Sequence, residues 1–373
     1  MKKDWEIKKL GDVCEVINGK NQKAVEDKNG SYPIYGSGGI MGYASEYLCR
    51  ENTTIIGRKG SINNPLYVEE KFWNVDTAFG FQSKDNYLPK LLFYFCKSFD
   101  FSTHNKGTTI PSLVKSDLLE IPIPVPPLEE QKRIVKILDE KFVQLETIKA
   151  NAQTNLQNAK DLFQSQLTKA FSNTTWEKIS VKDAGITLTG TTPPTSNKSN
   201  YGDYIPFIKP GDINIDSQGG LNYYNEGLSE EGYKKSRMVK AGSTLMVCIG
   251  ATIGKVGFTE KDITCNQQIN AIIPSEDFYP KFIYYSMINK DFQNEVLKYG
   301  KASQATLPII NKSKWENLIF SYPKSKNEQK RIVKELDTLS ENIRQLQEIY
   351  TKQIANCDEL KQSLLQKAFE GEL

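Results

Sequence analysis

Residues 128–171 read LEEQKRIVKILDEKFVQLETIKANAQTNLQNAKDLFQSQLTKAF, and residues 326–369 read KNEQKRIVKELDTLSENIRQLQEIYTKQIANCDELKQSLLQKAF. Glu130-Gln131-Lys132-Arg133-Ile134-Val135-Lys136 returns 198 positions later (328 − 130) as Glu328-Gln329-Lys330-Arg331-Ile332-Val333-Lys334. Lys169-Ala170-Phe171 returns at the same offset as Lys367-Ala368-Phe369, so the two copies align without a gap. Neither copy contains Gly or Pro, and both are rich in Leu, Lys, Glu and Gln, which predicts helix.

Apolar residues recur at a three-four spacing: Ile134, Leu138, Leu145 and Ile148 in the first copy, Ile332, Leu336, Ile343 and Leu346 in the second. A seam sustained for roughly four heptads predicts a coiled coil. At 1.5 Å per residue about 44 residues extend roughly 66 Å, longer than an ordinary globular core. The spacing predicts two long antiparallel helices packed on each other as a spacer. Heptad phase also sets Asn155 and Gln353 at matching seam positions, where a buried amide would fix register.

Working outward, the repeat continues into the flanking segments. Trp5-Glu6 opens the first half and Trp176-Glu177 the second. Thr109-Ile110-Pro111-Ser112-Leu113 parallels Thr306-Leu307-Pro308-Ile309-Ile310 near the end of each half. A Pro-containing run, Ile121–Pro127 or Leu318–Pro323, then leads into each helix, and proline predicts extended chain there. The chain divides into a globular domain over 1–127, a helix over 128–172, a second globular domain over 173–324 and a second helix over 325–373. The fold class is α+β, a tandem duplication with a potential pseudo-two-fold axis.

In the first globular domain short strands are predicted around Val13–Ile17, Tyr32–Tyr35, Thr53–Ile56 and Ala78–Gln82, with a helix near Pro89–Ser98. The second has strands near Ile205–Ile208, Thr244–Ile249, Lys255–Phe258 and Gln268–Ile273, and one aromatic-rich helix over about Pro280–Leu297. The middles of the two domains diverge far more than their edges.

Composition excludes several classes. Net charge is only +3 over 373 residues, and 1–127 carries 16 basic against 15 acidic residues, so no segment is a basic arm. Six cysteines without a CxxC pair and a single histidine, His104, argue against a zinc site. The start MKKDWEIKKL has no apolar run, and no stretch approaches the ~18 apolar residues of a membrane span. A cytoplasmic protein with reduced thiols is expected.

Catalytic signatures fail on inspection. Gly250-Ala251-Thr252-Ile253-Gly254-Lys255-Val256 is one residue short of a phosphate loop and has Val where Ser or Thr is needed, so it reads as a hairpin turn. Gly36-Ser37-Gly38-Gly39 lacks the spacing of a hydrolase elbow. Asn63-Asn64-Pro65-Leu66-Tyr67 falls short of the catalytic loop of adenine methyltransferases, with Leu where a second Pro is required.

What remains is a binding surface rich in residues that touch base edges or phosphates. The candidates are Arg58, Lys59 and Ser61 in one turn, and Asn197 and Lys198 in the polar loop Thr191–Asn200. Lys209, Lys255, Gln267, Gln268, Lys301 and Gln304 complete the set.

The whole pattern resembles the specificity subunit of type I restriction-modification systems. The resemblance rests on two variable domains alternating with two repeated helices, each entered by a Pro-containing run and a Glu-Gln-Lys-Arg-Ile-Val segment. Gly190–Ser196 with Tyr201–Ile208, and Tyr35–Tyr43, are also similar to segments of target-recognition domains in that family. The resemblance implies that 1–127 and 173–324 each read one half of a split double-stranded DNA target. The helices would set the separation and dock two modification subunits, which carry S-adenosylmethionine and methylate adenine. Restriction subunits would add ATP- and Mg-dependent translocation and cleavage. This chain would hold no cofactor or metal and be no enzyme by itself. The competing readings are a stand-alone methyltransferase or nuclease, and a non-DNA adaptor with two binding domains on a coiled coil.

Overall fold

The computed structural model describes residues 4–213, 219–302 and 308–373. The first globular segment contains β1 (Glu6–Lys9), α1 (Leu10–Val13), β2 (Cys14–Asn18), β3 (Tyr32–Gly36), β4 (Gly39–Ala44), β5 (Thr53–Gly57) and β6 (Leu66–Val68). It continues with β7 (Trp73–Asn74), β8 (Ala78–Ser83), α2 (Pro89–Ser98), α3 (Lys115–Leu119) and β9 (Pro122–Val125), followed by the long helix α4 (Leu128–Ala170). The second begins with β10 (Glu177–Ser180), β11 (Gly185–Thr189), β12 (Tyr201–Ile208), β13 (Gly227–Leu228), α5 (Glu230–Tyr233) and β14 (Met238–Val239). After these come β15 (Thr244–Val247), β16 (Val256–Phe258), β17 (Ile263–Cys265), β18 (Ile269–Pro274), α6 (Pro280–Ile288) and α7 (Lys290–Ala302). The last elements are α8 (Lys312–Glu316), β19 (Ile319–Tyr322) and the helix α9 (Lys326–Glu370).

Each globular segment repeats one plan despite its divergent sequence. A four-stranded sheet runs β2-β8-β5-β6 in the first and β11-β18-β15-β16 in the second. Beside it lies a second sheet, three-stranded in the first, β4-β3-β7, and four-stranded in the second, β13-β12-β17-β14. In both second sheets one pair is parallel, β3 with β7 and β12 with β17. The Pro-containing runs form the short ribbons expected of extended chain: β9 pairs antiparallel with β1, and β19 with β10. The phosphate-loop lookalike is a hairpin turn, flanked by the antiparallel strands β15 and β16.

One predicted helix is two. The segment near Pro280–Leu297 breaks at Asn289, whose backbone is extended (ψ 141°). Gln293 holds the break, its Nε2 donating to Met287 O (2.6 Å) and Gly254 O (3.0 Å), and so supplies a carbonyl partner that a continued helix would have given. Periodicity does not register such a break, because α6 is buried on all sides from Phe282 to Met287 and has no apolar stripe whose phase could change at Asn289.

Two compact units emerge, residues 1–152 with 352–373, and residues 153–351. Each takes one globular segment and portions of both long helices. In the first, Leu365 and Ala368 of α9 join Ile134 and Leu138 of α4 in the core built on Phe81, Leu91 and Phe95. In the second, Phe163, Leu167 and Phe171 join Ile332, Leu336 and Ile343 around Phe282, Tyr285 and Trp315. The helix portions run antiparallel within the first unit, with Arg133 Nη2 donating to Leu373 O (2.5 Å) and Lys149 Nζ to Asp358 Oδ1 (2.7 Å).

The glutamine of the duplicated Glu-Gln-Lys-Arg motif fastens each globular segment to its helix. Gln131 is buried, its Nε2 donating to Pro126 O (2.9 Å) and Asn86 O (3.1 Å) while its Oε1 accepts from Leu88 N (2.8 Å). Gln329 repeats the set with Pro323 O (3.0 Å), Asp277 O (3.3 Å) and Tyr279 N (2.8 Å). Leu88 and Tyr279 are the residues just before α2 and α6, so the glutamine satisfies an orphan helix-start donor. About two turns along the long helices, the Tyr94 hydroxyl donates to Asp139 and the Tyr285 hydroxyl to Asp337 (2.5 Å), with Lys90 and Lys281 on the same carboxylates.

The seam differs from the expected one in phase. Ile134, Leu138, Leu145, Ile332, Leu336 and Ile343 are buried, but Ile148 and Leu346 are 39% and 38% exposed. Asn155 and Gln353 are exposed too, so neither is a buried amide fixing register. After each shared heptad position the contact falls four residues on, not three: Lys149, Leu156 and Phe163 in α4, Gln347, Ile354 and Lys361 in α9 are half-buried or buried. Lys149 reaches Asp358 and Lys361 reaches Glu146, so their ammonium groups are paired while their stems cover apolar surface. Hydrogen bonding to Asp358 raises the pKa of Lys149. Ion pairing lets lysines take the inner positions and leaves Ile148, Leu162, Leu346 and Leu360 facing outward.

Candidate nucleic-acid interface

Three loops meet at one end of the first four-stranded sheet. Gly19, just past β2, donates to Ala78 O (3.1 Å), and Lys20 donates to Asn74 O (2.9 Å). Arg58, just past β5, donates to Thr77 O (2.8 Å), and its own carbonyl accepts from Leu113 N (2.9 Å). Gly60 closes the turn onto Pro111 O (2.9 Å). The approach is tight at Gly19, where a Cβ would stand 1.8 Å from Val75 O.

The exposed side chains at this confluence are Lys20, Arg58, Lys59, Ser61, Asp76 and Thr77. The Arg58 guanidinium lies 5.8 Å from the Phe79 ring centre and donates to Asp76 O (3.4 Å). Among the described residues no carboxylate pairs with Lys20, Arg58 or Lys59, so three positive charges face solvent together. Such a cluster suits an anionic, hydrogen-bonding polymer.

The second segment builds the same confluence with other side chains. Gly190 donates to Ile269 O (3.0 Å), Thr191 to Cys265 O (2.8 Å), Cys248 to Gln268 O (2.8 Å) and Gly250 to Pro308 O (3.0 Å). Ile310 N returns to Cys248 O (2.8 Å). At Gly190 a Cβ would meet Asn266 O at 2.1 Å. These bonds equate Lys20 with Thr191, Arg58 with Cys248, Asp76 with Gln267 and Thr77 with Gln268. The cation of one loop is thus a buried thiol in the other, pushed up to about 12 by burial and contacted by Asn270 Nδ2 (3.2 Å).

A family model described as the type I restriction modification DNA specificity domain matches residues 2–157 and again residues 173–354. The chain belongs to this family. Its two specificity domains are similar to those of curated specificity subunits: MjaVIII of Methanocaldococcus jannaschii (27% identity, 79% of this chain, 77% of that protein) and EcoDI of Escherichia coli (24%, 99% and 89%). A HindI subunit of Haemophilus influenzae is 35% identical over 136 residues, which is 36% of this chain and 29% of that protein. The fold is that of a chain solved in work on complex assembly and conformational transition of the type I R-M system (19% identity, TM-score 0.80, 100% of this chain and 99% of that one). The HsdS subunit from Thermoanaerobacter tengcongensis shares it at 18% identity and TM-score 0.61, over 100% and 98% of the two chains.

Within the second specificity domain Gln267 projects outward and its Oε1 accepts from the Thr192 hydroxyl. Gln268 is held inside the turn, donating to Ile249 O (3.4 Å) and accepting from Asn266 Nδ2 (2.9 Å). Lys255 also turns inward, to Pro210 O (3.4 Å), and Lys209 is paired with Glu226. Asn197 caps its own short turn through Ser199 N (3.1 Å), leaving Lys198 exposed beside it. Gln304 and the side chain of Lys301 lie outside the described residues. Of the candidates read from sequence, the structure therefore gathers Arg58, Lys59 and Ser61 at one confluence, and Gln267 with Gln268 at the other.

Sequence reasoning marked the loop Thr191–Asn200 without naming Thr192, and it did not name Lys20, Asp76 or Arg237, whose Nη1 reaches Thr189 O (3.0 Å). One signal was present: Gly19 and Gly190 each follow the first long strand of a domain, and each marks a backbone approach. Among the described residues no group of three or more His, Cys, Asp or Glu side chains could hold a metal, and no helix is long and apolar enough to cross a membrane.

Proposed function

We propose that residues 1–127 and 173–324 read the two halves of a bipartite double-stranded DNA target for a type I restriction-modification complex. The observation that carries this is the duplicated confluence: one backbone scaffold, bonded alike in both domains, displaying cations in one and amides and hydroxyls in the other. A common scaffold with interchangeable side chains is what two readers of different half-sites require. The adaptor reading finds no support in the comparisons.

In this reading Lys20, Lys59 and Lys198 supply phosphate contacts, while Arg58 and Gln267 reach base edges. The long helices set the distance between half-sites, since a helix of 43 residues is stiff where a loop is not. Their outward apolar residues, Ile148, Leu162, Leu346 and Leu360 (38–52% exposed), suit docking by two modification subunits. Those partners would bring S-adenosylmethionine and the methyl transfer to adenine, and restriction subunits would bring ATP- and Mg-dependent cleavage. The chain itself contributes recognition and no catalysis, in the cytoplasm where cellular DNA lies.

Exchanging residues 173–324 for the matching region of another specificity subunit tests the assignment. Methylation mapping in cells holding the modification subunits is expected to show one half of the motif replaced and the other unchanged. A swap that altered both halves, or neither, would refute it.

A further inference from the structure

The hairpin β3–β4 of the first domain carries an irregularity with a chemical consequence. Its strands pair Tyr32 with Ala44, Pro33 with Tyr43 and Ile34 with Gly42, but then Tyr35 with Ile40 and Gly36 with Gly39. Met41 is left without a partner, a β-bulge. Regular alternation would send Ile40 and Met41 to opposite faces, one of them inward. The bulge re-aims the strand so that both are exposed, Ile40 at 55% and Met41 at 64%. Single exposed apolar residues need no explanation, but two consecutive ones turned outward by a bulge on an edge strand do.

Their position narrows the partner. Tyr35 O, at the end of β3, accepts from Val75 N (3.0 Å), in the loop that carries Asp76 and Thr77. The next residue but one, Ser37, has its Cβ 3.2 Å from where a Gly57 Cβ would stand, at the root of the Arg58–Ser61 turn. The hairpin tip is thus continuous with the cationic confluence. In the second domain Ile208 leads instead into Lys209-Pro210-Gly211-Asp212, with Asp212 buried and accepting from Lys209 N (2.7 Å).

We propose that Ile40 and Met41 are an apolar DNA contact of the first domain, seated against the bases while Lys20 and Lys59 hold phosphates. The apolar parts of a duplex are thymine methyls and the faces of partly unstacked bases, and exposed Ile and Met side chains suit either. The inference rests on the reading that 1–127 binds DNA.

An apolar contact releases no counterions, so it is separable from a phosphate contact by salt. The test uses the full chain assembled with its modification subunits and a duplex carrying the motif found by methylation mapping, titrated across a salt series. The double variant Ile40→Ser, Met41→Ser is expected to bind about tenfold more weakly at every salt concentration with an unchanged salt slope. Lys59→Ala is expected to lower that slope by about one. Unchanged affinity of the double variant, or a changed slope, would overturn the proposal. A photo-crosslinking residue, p-benzoylphenylalanine, at position 41 provides a measurement independent of the serine variants. A DNA adduct supports the proposal, and an adduct only to a modification subunit, or none, overturns it. If neither variant alters binding, the DNA reading of the first domain fails as well.

Discussion

Gln131 and Gln329 show how a short repeated motif translates into structure. Each is a fully buried amide whose hydrogen bonds all go to backbone, and each serves a helix start and the proline run that leads into its own helix. Replacing Gln131 by Ala leaves the Leu88 N–H and the Pro126 carbonyl buried without partners. The expected loss is about 1–3 kcal/mol of stability, read by denaturant unfolding, because an orphaned buried polar group costs its desolvation. An exposed amide changed to Ala, such as Asn155, is expected to cost within ~0.5 kcal/mol. The residues proposed to read bases call for a different measurement. Arg58→Ala and Gln267→Ala are each expected to lower affinity for the cognate duplex by about 1–3 kcal/mol, with smaller loss on random DNA, if bidentate to a base. Equal losses on both duplexes would place the side chain on phosphate.

At the scale of elements, the helices test how far periodicity can be trusted. Ile343 is buried and Leu346 is 38% exposed, though both fall on one heptad seam. Ile343→Ser should destabilise the protein by about 2–5 kcal/mol, as buried large-to-small changes do. Leu346→Ser should cost under about 1 kcal/mol in the isolated chain and weaken assembly with the modification subunits instead, measured by thermal unfolding and by co-sedimentation. The heptad period itself was legible because 343, 350 and 357 repeat it. Which neighbour fills the seam was not, since positions three and four residues on both lie on the same side of a helix. Apolarity pointed to Leu346 and Ile148, and the ion pairs of Lys149 and Lys361 decided otherwise. Strand positions were largely legible: β3, β5 and β8 lie where short runs bounded by turn residues put them. The break at Asn289 was not, because Gly254, distant in sequence, helps to hold it, and the bulge at Met41 was not, because it is a slip of register inside one hairpin that residue type does not mark. Likewise Arg58 could be read as a binding residue from its turn, whereas Lys20 and Asp76 join it only through sheet order.

For the whole molecule, the duplication predicts what half of it would do. The core of the first domain is completed by Leu365 and Ala368 with Phe369 packed alongside, all from the far end of α9. The residues 198 positions earlier are Leu167, Ala170 and Phe171, and these do the same service for the second domain. A fragment of residues 1–172 therefore contains one domain, one helix, and a copy of the very residues that its own core lacks. It cannot place them on itself, because the helix leads away from the domain that it leaves. A second copy of the fragment can place them there, and the exchange is reciprocal, an isologous two-fold contact between identical chains. Residues 1–172 are accordingly expected to form a homodimer at micromolar concentration, checked by sedimentation equilibrium. With the modification subunits present, the dimer should methylate an interrupted palindrome built from the half-target of residues 1–127. Leu167→Ser is expected to dissociate the dimer, although Leu167 would touch only the partner's domain. A folded, stable monomer of the fragment would show that the first domain does not need the α9 residues, and an asymmetric methylated motif would show that the two helix copies are not interchangeable.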